Sequence, residues 1–220
     1  MCTMLAYITP DAAISKTLLQ EALSNSIIDS YNMISVDGDT STNDTCLLLA
    51  NGLAGNTEIT EKGADYDMFC EALDFVNTYL ARKMAGDGEG ATALFETTVI
   101  HAATKQEARI LAKSVIGSSI CKEAIYGHEA NFGRFLCALG YSGVVFDPEK
   151  VELYFESKAG KMLIYKDGAA TDYSEEEATK ILSEPEVTVL VDMKMGAETA
   201  TAWGCDLTYD YVKINADCRS

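Results

Sequence analysis

Between residues 61 and 102 the hydrophobic period changes once, and it changes across glycine. Residues 61–84 repeat apolar side chains at helical spacing, with Ala64, Met68, Leu73, Val76 and Leu80 on or near one face. The segment AGDGEGA then sets three glycines among seven residues, and LFETTVIHA follows with the composition of a strand. Any fold for this chain must hand a long amphipathic helix over to a strand within a few residues. The glycine-rich break is the strongest punctuation in the sequence, and a subdomain boundary is expected near residue 90.

The flanking sequence extends the pattern. MLAYIT (residues 4–9) reads as a strand that Pro10 ends, and Asp11 is placed to cap a helix from Ile14 to about Tyr31. In MISVDGDTSTNDTCLLLANG the flanks read as strands, while the middle carries Asp, Gly, Ser, Thr and Asn, which bond their own backbone in turns. Thr104 followed by Glu107, and Ser174 followed by Glu177, are capping boxes and start helices. A short helix is expected through Leu139. VELYFES and KMLIYKDG read as a hairpin. EVTVLVDMKMG, ETATAWGCDL and YDYVKINA read as three further strands, the last returning towards a site. No internal repeat, linker or low-complexity stretch interrupts the 220 residues.

Composition removes several function classes. The chain carries 17 Lys+Arg against 34 Asp+Glu, a formal net charge of -17, which disfavours nucleic acid and anionic membrane surfaces. No apolar run approaches the roughly 18 residues of a membrane span, and the N-terminus lacks the basic region and apolar stretch of a signal peptide. The seven cysteines (2, 46, 70, 121, 137, 205 and 218) form no CxxC pair, and the two histidines, His101 and His128, have no ligand spacing. These features are those of free thiols in a reducing compartment, and a soluble cytoplasmic protein without a structural metal is expected.

Four stretches could carry chemistry. Asp37, Asp39 and Asn43 resemble the start of a calcium loop, but its sixth and twelfth places hold Thr42 and Leu48 instead of Gly and Glu. The segment is a structural turn or a turn that supports a site. Glu89, between Gly88 and Gly90, can present a carboxylate to a cationic group or stand as a solvated loop residue. In ANFGR, Asn131 and Arg134 hold a site or cap a helix. Asn215 and Ser220 bear on chemistry only if the tail is ordered. Thr3 is either incidental or a nucleophile. A threonine hydroxyl is weak alone, but as a first residue it has its own α-amine as base, with an ordinary pKa of roughly 7.7–8. That chemistry requires removal of Met1 and Cys2.

Taken together, CTMLAYITPDAAI, SVDGDTSTNDTCLLLANG, DGEGAT, EANFGR, LGYSG and WGCDLTYDYVKINADCRS resemble, in order, the β half of the ornithine acetyltransferase family, also called bifunctional glutamate N-acetyltransferases. The resemblance implies an α/β fold with a layered αββα core of the N-terminal-nucleophile kind, completed by an α chain, and a smaller C-terminal α/β unit. It implies that residues 1–90 form the β-chain part of the catalytic core, and 91–220 the C-terminal subdomain. It implies a precursor cut between Cys2 and Thr3, Thr3 as the acetyl-carrying nucleophile, and Glu89, Asn215 and Ser220 as substrate-binding residues. Cys2 stands where alanine is common, Ala93 where a basic residue often follows, and Phe132 where tryptophan is usual.

By the same resemblance the reaction moves acetyl from N-acetylornithine to glutamate in arginine biosynthesis. No metal or organic cofactor is needed; acetyl-CoA is a second donor in the bifunctional members. The partner is the α chain of the same precursor, in an α2β2 heterotetramer, and the oxyanion donors lie in that α chain. Two other readings stay open: an N-terminal-nucleophile aminopeptidase of related fold, with water as acceptor, and a non-catalytic β half that only binds a partner.

Overall fold

The computed structural model describes residues 3–217. In chain order the elements begin with β1 (Leu5–Ile8), α1 (Lys16–Ser26), β2 (Ile34–Ser35), β3 (Thr45–Leu48), α2 (Ala64–Gly86), β4 (Leu94–Ala102), α3 (Lys105–Ile116), α4 (Ser119–Tyr126) and α5 (Phe132–Gly140). They continue with β5 (Glu152–Ser157), β6 (Gly160–Lys166), β7 (Ala169–Ala170), α6 (Glu175–Leu182), β8 (Glu186–Asp192), β9 (Glu198–Cys205) and α7 (Tyr209–Asp217). The architecture is mixed α/β. No helix among the described residues is long and apolar enough to cross a membrane.

Packing divides the chain into two compact units. One contains the described residues up to Asn32 together with Asp39–Ala81; the other contains Met33–Gly38 and the chain from Arg82 onward. The glycines near residue 90 mark a change of secondary structure, whereas packing divides the chain after Ala81, within α2.

The first unit is thin. β1 and β3 form a two-stranded parallel sheet, pairing Leu5 with Thr45 through Ile8 with Leu48. Its core is small: Leu18, Ala22, Tyr66 and Leu73, with Ile8, Ile14, Leu48 and Phe69 packed around them. The period of two sends Ala6 and Ile8 to one side of β1 and leaves Leu5 and Tyr7 on the other, 56% and 58% exposed. Leu47 and Leu49 are exposed as well. Asp11 does not cap α1. The helix starts after Ser15, whose side chain makes no cap bond, and ends at Ser26 in 3-10 turns.

The second unit holds a seven-stranded sheet in the order β2-β9-β4-β8-β5-β6-β7. β4 runs parallel to β8 and antiparallel to β9, and β5 and β6 form the expected hairpin. Register lines up Phe95, Thr97 and Val99 with Val187, Val189 and Val191 on one face. All six are essentially buried. Helix α3 covers β4 and β9, and α6 covers β5 and β6. Phe135 meets Phe95 and Phe155 edge to face, with centroids 6.3 and 5.2 Å away respectively. Each such burial contributes roughly 1.5–3 kcal/mol. Both N-caps form where the capping boxes place them: Thr104 accepts from the Glu107 amide and Ser174 from the Glu177 amide.

Two elements differ from the sequence expectation. Helix α4 follows Ser118, whose hydroxyl accepts from the Cys121 amide; at eight residues it is too short to show a clear period. The terminal YDYVKINA, expected as a strand, is the helix α7. Alternating aromatic and β-branched residues imitate a strand, but Thr208 accepts a hydrogen bond from the Tyr211 amide and starts a helix instead.

Candidate active site

In the first unit the chain leads into β1 through Thr3, and the acidic turn folds back against it. The Met4 carbonyl accepts from the Thr45 amide at 2.8 Å, continuing the β1–β3 pairing. The Asp44 carboxylate then bridges two backbone amides, Met4 at 2.8 Å and Ser41 at 3.2 Å. Ser41 Oγ receives the Asn43 amide at 3.2 Å and shares a 2.8 Å hydrogen bond with Thr3 Oγ1. Thr3 is exposed, so its hydroxyl is held on one side and open on the other. The turn therefore supports a candidate nucleophile. Cys2, the residue on the other side of the expected cut, lies outside the described residues.

In the second unit the Gly88–Gly90 loop carries Glu89 against α7. Asn215 donates its side-chain amide to Glu89 Oε2 at 2.8 Å and to the Tyr211 carbonyl at 3.0 Å. Thr208 donates its hydroxyl to the Gly90 carbonyl at 2.8 Å. The Tyr211 hydroxyl donates to Asp37 Oδ2 at 3.0 Å. Asp206, buried at the end of β9, accepts from the Thr92 and Ala93 amides at 2.8 and 3.1 Å and from the Thr92 hydroxyl. Gly90 has φ +67°, and a Cβ there would stand 2.8 Å from the Tyr211 nitrogen. Only glycine allows loop and helix to approach this closely.

The structure brings Glu89 and Asn215 into hydrogen-bond contact, with Asn215 on a helix instead of the expected strand. Ser220 lies outside the described residues. Asn131 caps nothing; it bonds Glu129 at 3.1 Å. Arg134 ties α4 to α5 through the Ile120 carbonyl at 3.0 Å and Glu129 at 2.8 Å. Phe132 stacks on Tyr165 with centroids 5.5 Å apart. Among the described residues no group of three His, Cys, Asp or Glu side chains could hold a metal ion.

Sequence reasoning missed Ser41, Asp44, Asp206, Thr208 and Tyr211. Thr208 had a signal, a hydroxyl residue directly before a possible first turn with Asp210 in it. Ser41 and Asp44 had none beyond lying in a turn, because their role depends on a partner some forty residues away.

Comparison with known proteins bears out the resemblance. The ArgJ family matches over residues 1–220. The arginine biosynthesis bifunctional protein ArgJ of Caldanaerobacter subterraneus subsp. tengcongensis is 48% identical over all of this chain and 55% of its own length. ArgJ 1 of Clostridium acetobutylicum is 50% identical over all of this chain and 54% of its own length. The chain thus spans about half the length of the curated relatives it matches. A crystal structure of the arginine biosynthesis bifunctional protein ArgJ from Bacillus halodurans superposes with a TM-score of 0.93 at 45% identity, covering 98% of this chain and 100% of that one.

Proposed function

The chain belongs to the ArgJ family, and from that premise we propose that it is the β part of a glutamate N-acetyltransferase of arginine biosynthesis. Thr3 Oγ1 attacks the acetyl carbonyl of N-acetylornithine, the amide C–N bond breaks, and ornithine leaves with the proton. The glutamate amine then attacks the Thr3 acetyl ester, the ester C–O bond breaks, and a proton from the amine returns to Thr3 Oγ1. The single observation that carries the reading is the presentation of Thr3: an exposed hydroxyl heading a strand, bonded to Ser41 and braced by Asp44.

The base is the Thr3 α-amine, so the Cys2–Thr3 bond must first be cut; while it is intact, that nitrogen is an amide and takes no proton near neutral pH. Ser41 holds the hydroxyl in place through both steps. Glu89 pairs with a substrate ammonium group, and Asn215 and Ser220 bond its polar end. No metal or organic cofactor is used. Acetyl-CoA serves as the second acetyl donor, in keeping with the word bifunctional in the relatives' names.

The partner in this reading is the N-terminal half of a common precursor, the α chain, in an α2β2 heterotetramer in the cytoplasm. It supplies the oxyanion donors that a tetrahedral intermediate needs. Two observations support it: the matched relatives are nearly twice as long, and Leu5, Tyr7 and Leu47 are exposed on a two-stranded sheet too small to stand alone, with Leu49 exposed just beyond it. The test is co-expression of this chain with that half, intact-mass measurement of the β chain, and trapping of acetylated enzyme with N-acetylornithine. A β chain that begins elsewhere than Thr3, or an acetyl label on another residue, overturns the assignment. Release of free acetate without transfer to glutamate would instead favour a hydrolase.

A further inference from the structure

Lys122 is 2% exposed, and the mechanism does not use it. It interrupts the apolar stripe of α4 between Cys121 and Ile125. Its ammonium donates to two backbone carbonyls, Cys205 at 2.7 Å and Ser35 at 3.2 Å. These carbonyls lie at the adjoining ends of β9 and β2, strands that pair over only Ile34–Trp203 and Ser35–Gly204. Burial pulls the lysine pKa down, and the nearby Cys205, Asp206 and Asp37 oppose that shift. Replacing a buried amine of this kind takes a donor from both carbonyls, so the cation must return something the fold needs.

Each of the two carbonyls leads along the chain to a carboxylate that touches the Glu89 loop or α7. One residue after Cys205 stands Asp206, which holds Thr92 and Ala93 at the exit of the Glu89 loop. Two residues after Ser35 stands Asp37, which holds Tyr211 on α7, and the Tyr211 carbonyl accepts from Asn215. The packing around the amine is close. A Cβ on Gly204 would lie 2.6 Å from the Ser35 oxygen and 3.2 Å from Lys122 Nζ. A Cβ on Gly88 would lie 2.6 Å from Cys205 Sγ and 3.2 Å from Val36. Nothing larger than glycine fits on either side of the junction that Lys122 closes.

We propose that Lys122 is a positioning residue for substrate binding, fixing the β2–β9 junction from which Asp37 and Asp206 set the distance between Glu89 and Asn215. The proposal rests on the reading that Glu89 and Asn215 bind substrate. It separates Lys122 from the nucleophile: loss of the amine loosens the binding pair and leaves Thr3, Ser41 and Asp44 in their own unit undisturbed.

The test uses the enzyme assembled with its N-terminal half. Lys122→Met is expected to raise KM for N-acetylornithine about tenfold, to keep kcat within about twofold and to cut before Thr3 as the parent does. In a Glu89→Gln background the same change is expected to raise KM by no more than about twofold, because the two act through one contact. An unchanged KM in Lys122→Met, or equal effects in both backgrounds, overturns the proposal. If Lys122→Met does not fold, Tyr211→Phe, which removes the hydroxyl that bonds Asp37, decides: a KM raised about threefold or more supports the relay and an unchanged one overturns it. Hydrogen exchange over residues 87–93 and 209–217 reads the positioning without substrate. Faster exchange there in Lys122→Met, with KM unaffected by Glu89→Gln alone, would defeat the substrate reading and uphold the positioning.

Discussion

Asn215 reaches back across 126 positions of sequence to donate its side-chain amide to Glu89 at 2.8 Å. The bond joins the glycine loop after α2 to the last helix. Glu89→Gln keeps an oxygen that can accept from Asn215 and removes only the charge. It is expected to lower kcat/KM for N-acetylornithine about 10- to 100-fold while cleavage before Thr3 and the melting temperature stay near parental values. Steady-state kinetics decide this, and a kcat/KM equal to the parent's returns Glu89 to an ordinary loop residue.

At the nucleophile, Thr3→Ala is expected to abolish both cleavage and transfer, and Thr3→Ser to retain part of each. Ser41→Ala removes one neutral hydrogen bond to the reacting hydroxyl. It is expected to slow both steps about 3- to 10-fold with KM unchanged. Time-resolved mass spectrometry of the precursor and single-turnover acetyl transfer measure the two. A Ser41→Ala enzyme that cuts and transfers at the parental rate shows that the bond does not orient Thr3.

Gly90→Ala tests the close approach of loop and helix. The added Cβ meets the Tyr211 and Asp210 backbone at 2.8–2.9 Å with φ at +67°. Destabilisation of at least about 1–2 kcal/mol is expected by urea unfolding, together with a raised KM. At Gly140, the last residue of α5, an added Cβ would meet nothing within 4 Å, so Gly140→Ala should be neutral or slightly stabilising. Equal effects at the two glycines would show that the close approach at Gly90 costs nothing.

Glu152 supplies a pH dependence away from the site. It accepts from the Tyr154 hydroxyl at 2.6 Å and pairs with Lys194 at 3.3 Å and Lys166 at 3.4 Å. The Tyr154 hydrogen bond, and after it Lys194, hold its carboxyl below the ordinary glutamate value of 4.5. A depressed folded pKa gives stability that is present above the unfolded value and lost as pH falls through the folded one. Glu152→Gln should therefore be less stable than the parent by about 1–2 kcal/mol near neutral pH, and the gap should close as the pH falls below the ordinary glutamate value and through the lowered folded one. Urea unfolding at several pH values measures it; a gap independent of pH would assign the effect to packing.

How much of this was legible beforehand depends on how far each cause reaches along the chain. The N-caps at Thr104 and Ser174 act within four residues, and both helices begin where those residues place them. The β5–β6 hairpin and the break after α2 are equally local. The motif blocks, read as an ordered set, carried the family and named Thr3, Glu89 and Asn215.

Tertiary structure decided the rest. The two apolar flanks of the acidic turn look alike in sequence, yet β2 pairs with β9 and β3 with β1, since a strand's partner is a non-local choice. The tail became a helix with no buried side chain, held by Gly90, Asp37 and Glu89 from 118 to 174 positions away; alternating residues cannot encode that. Lys122 reads in sequence as one more charge on a helix. Its burial, and its two carbonyl acceptors, exist only once β2 and β9 lie side by side, because an ammonium leaves water only where the fold has already built the oxygens to receive it.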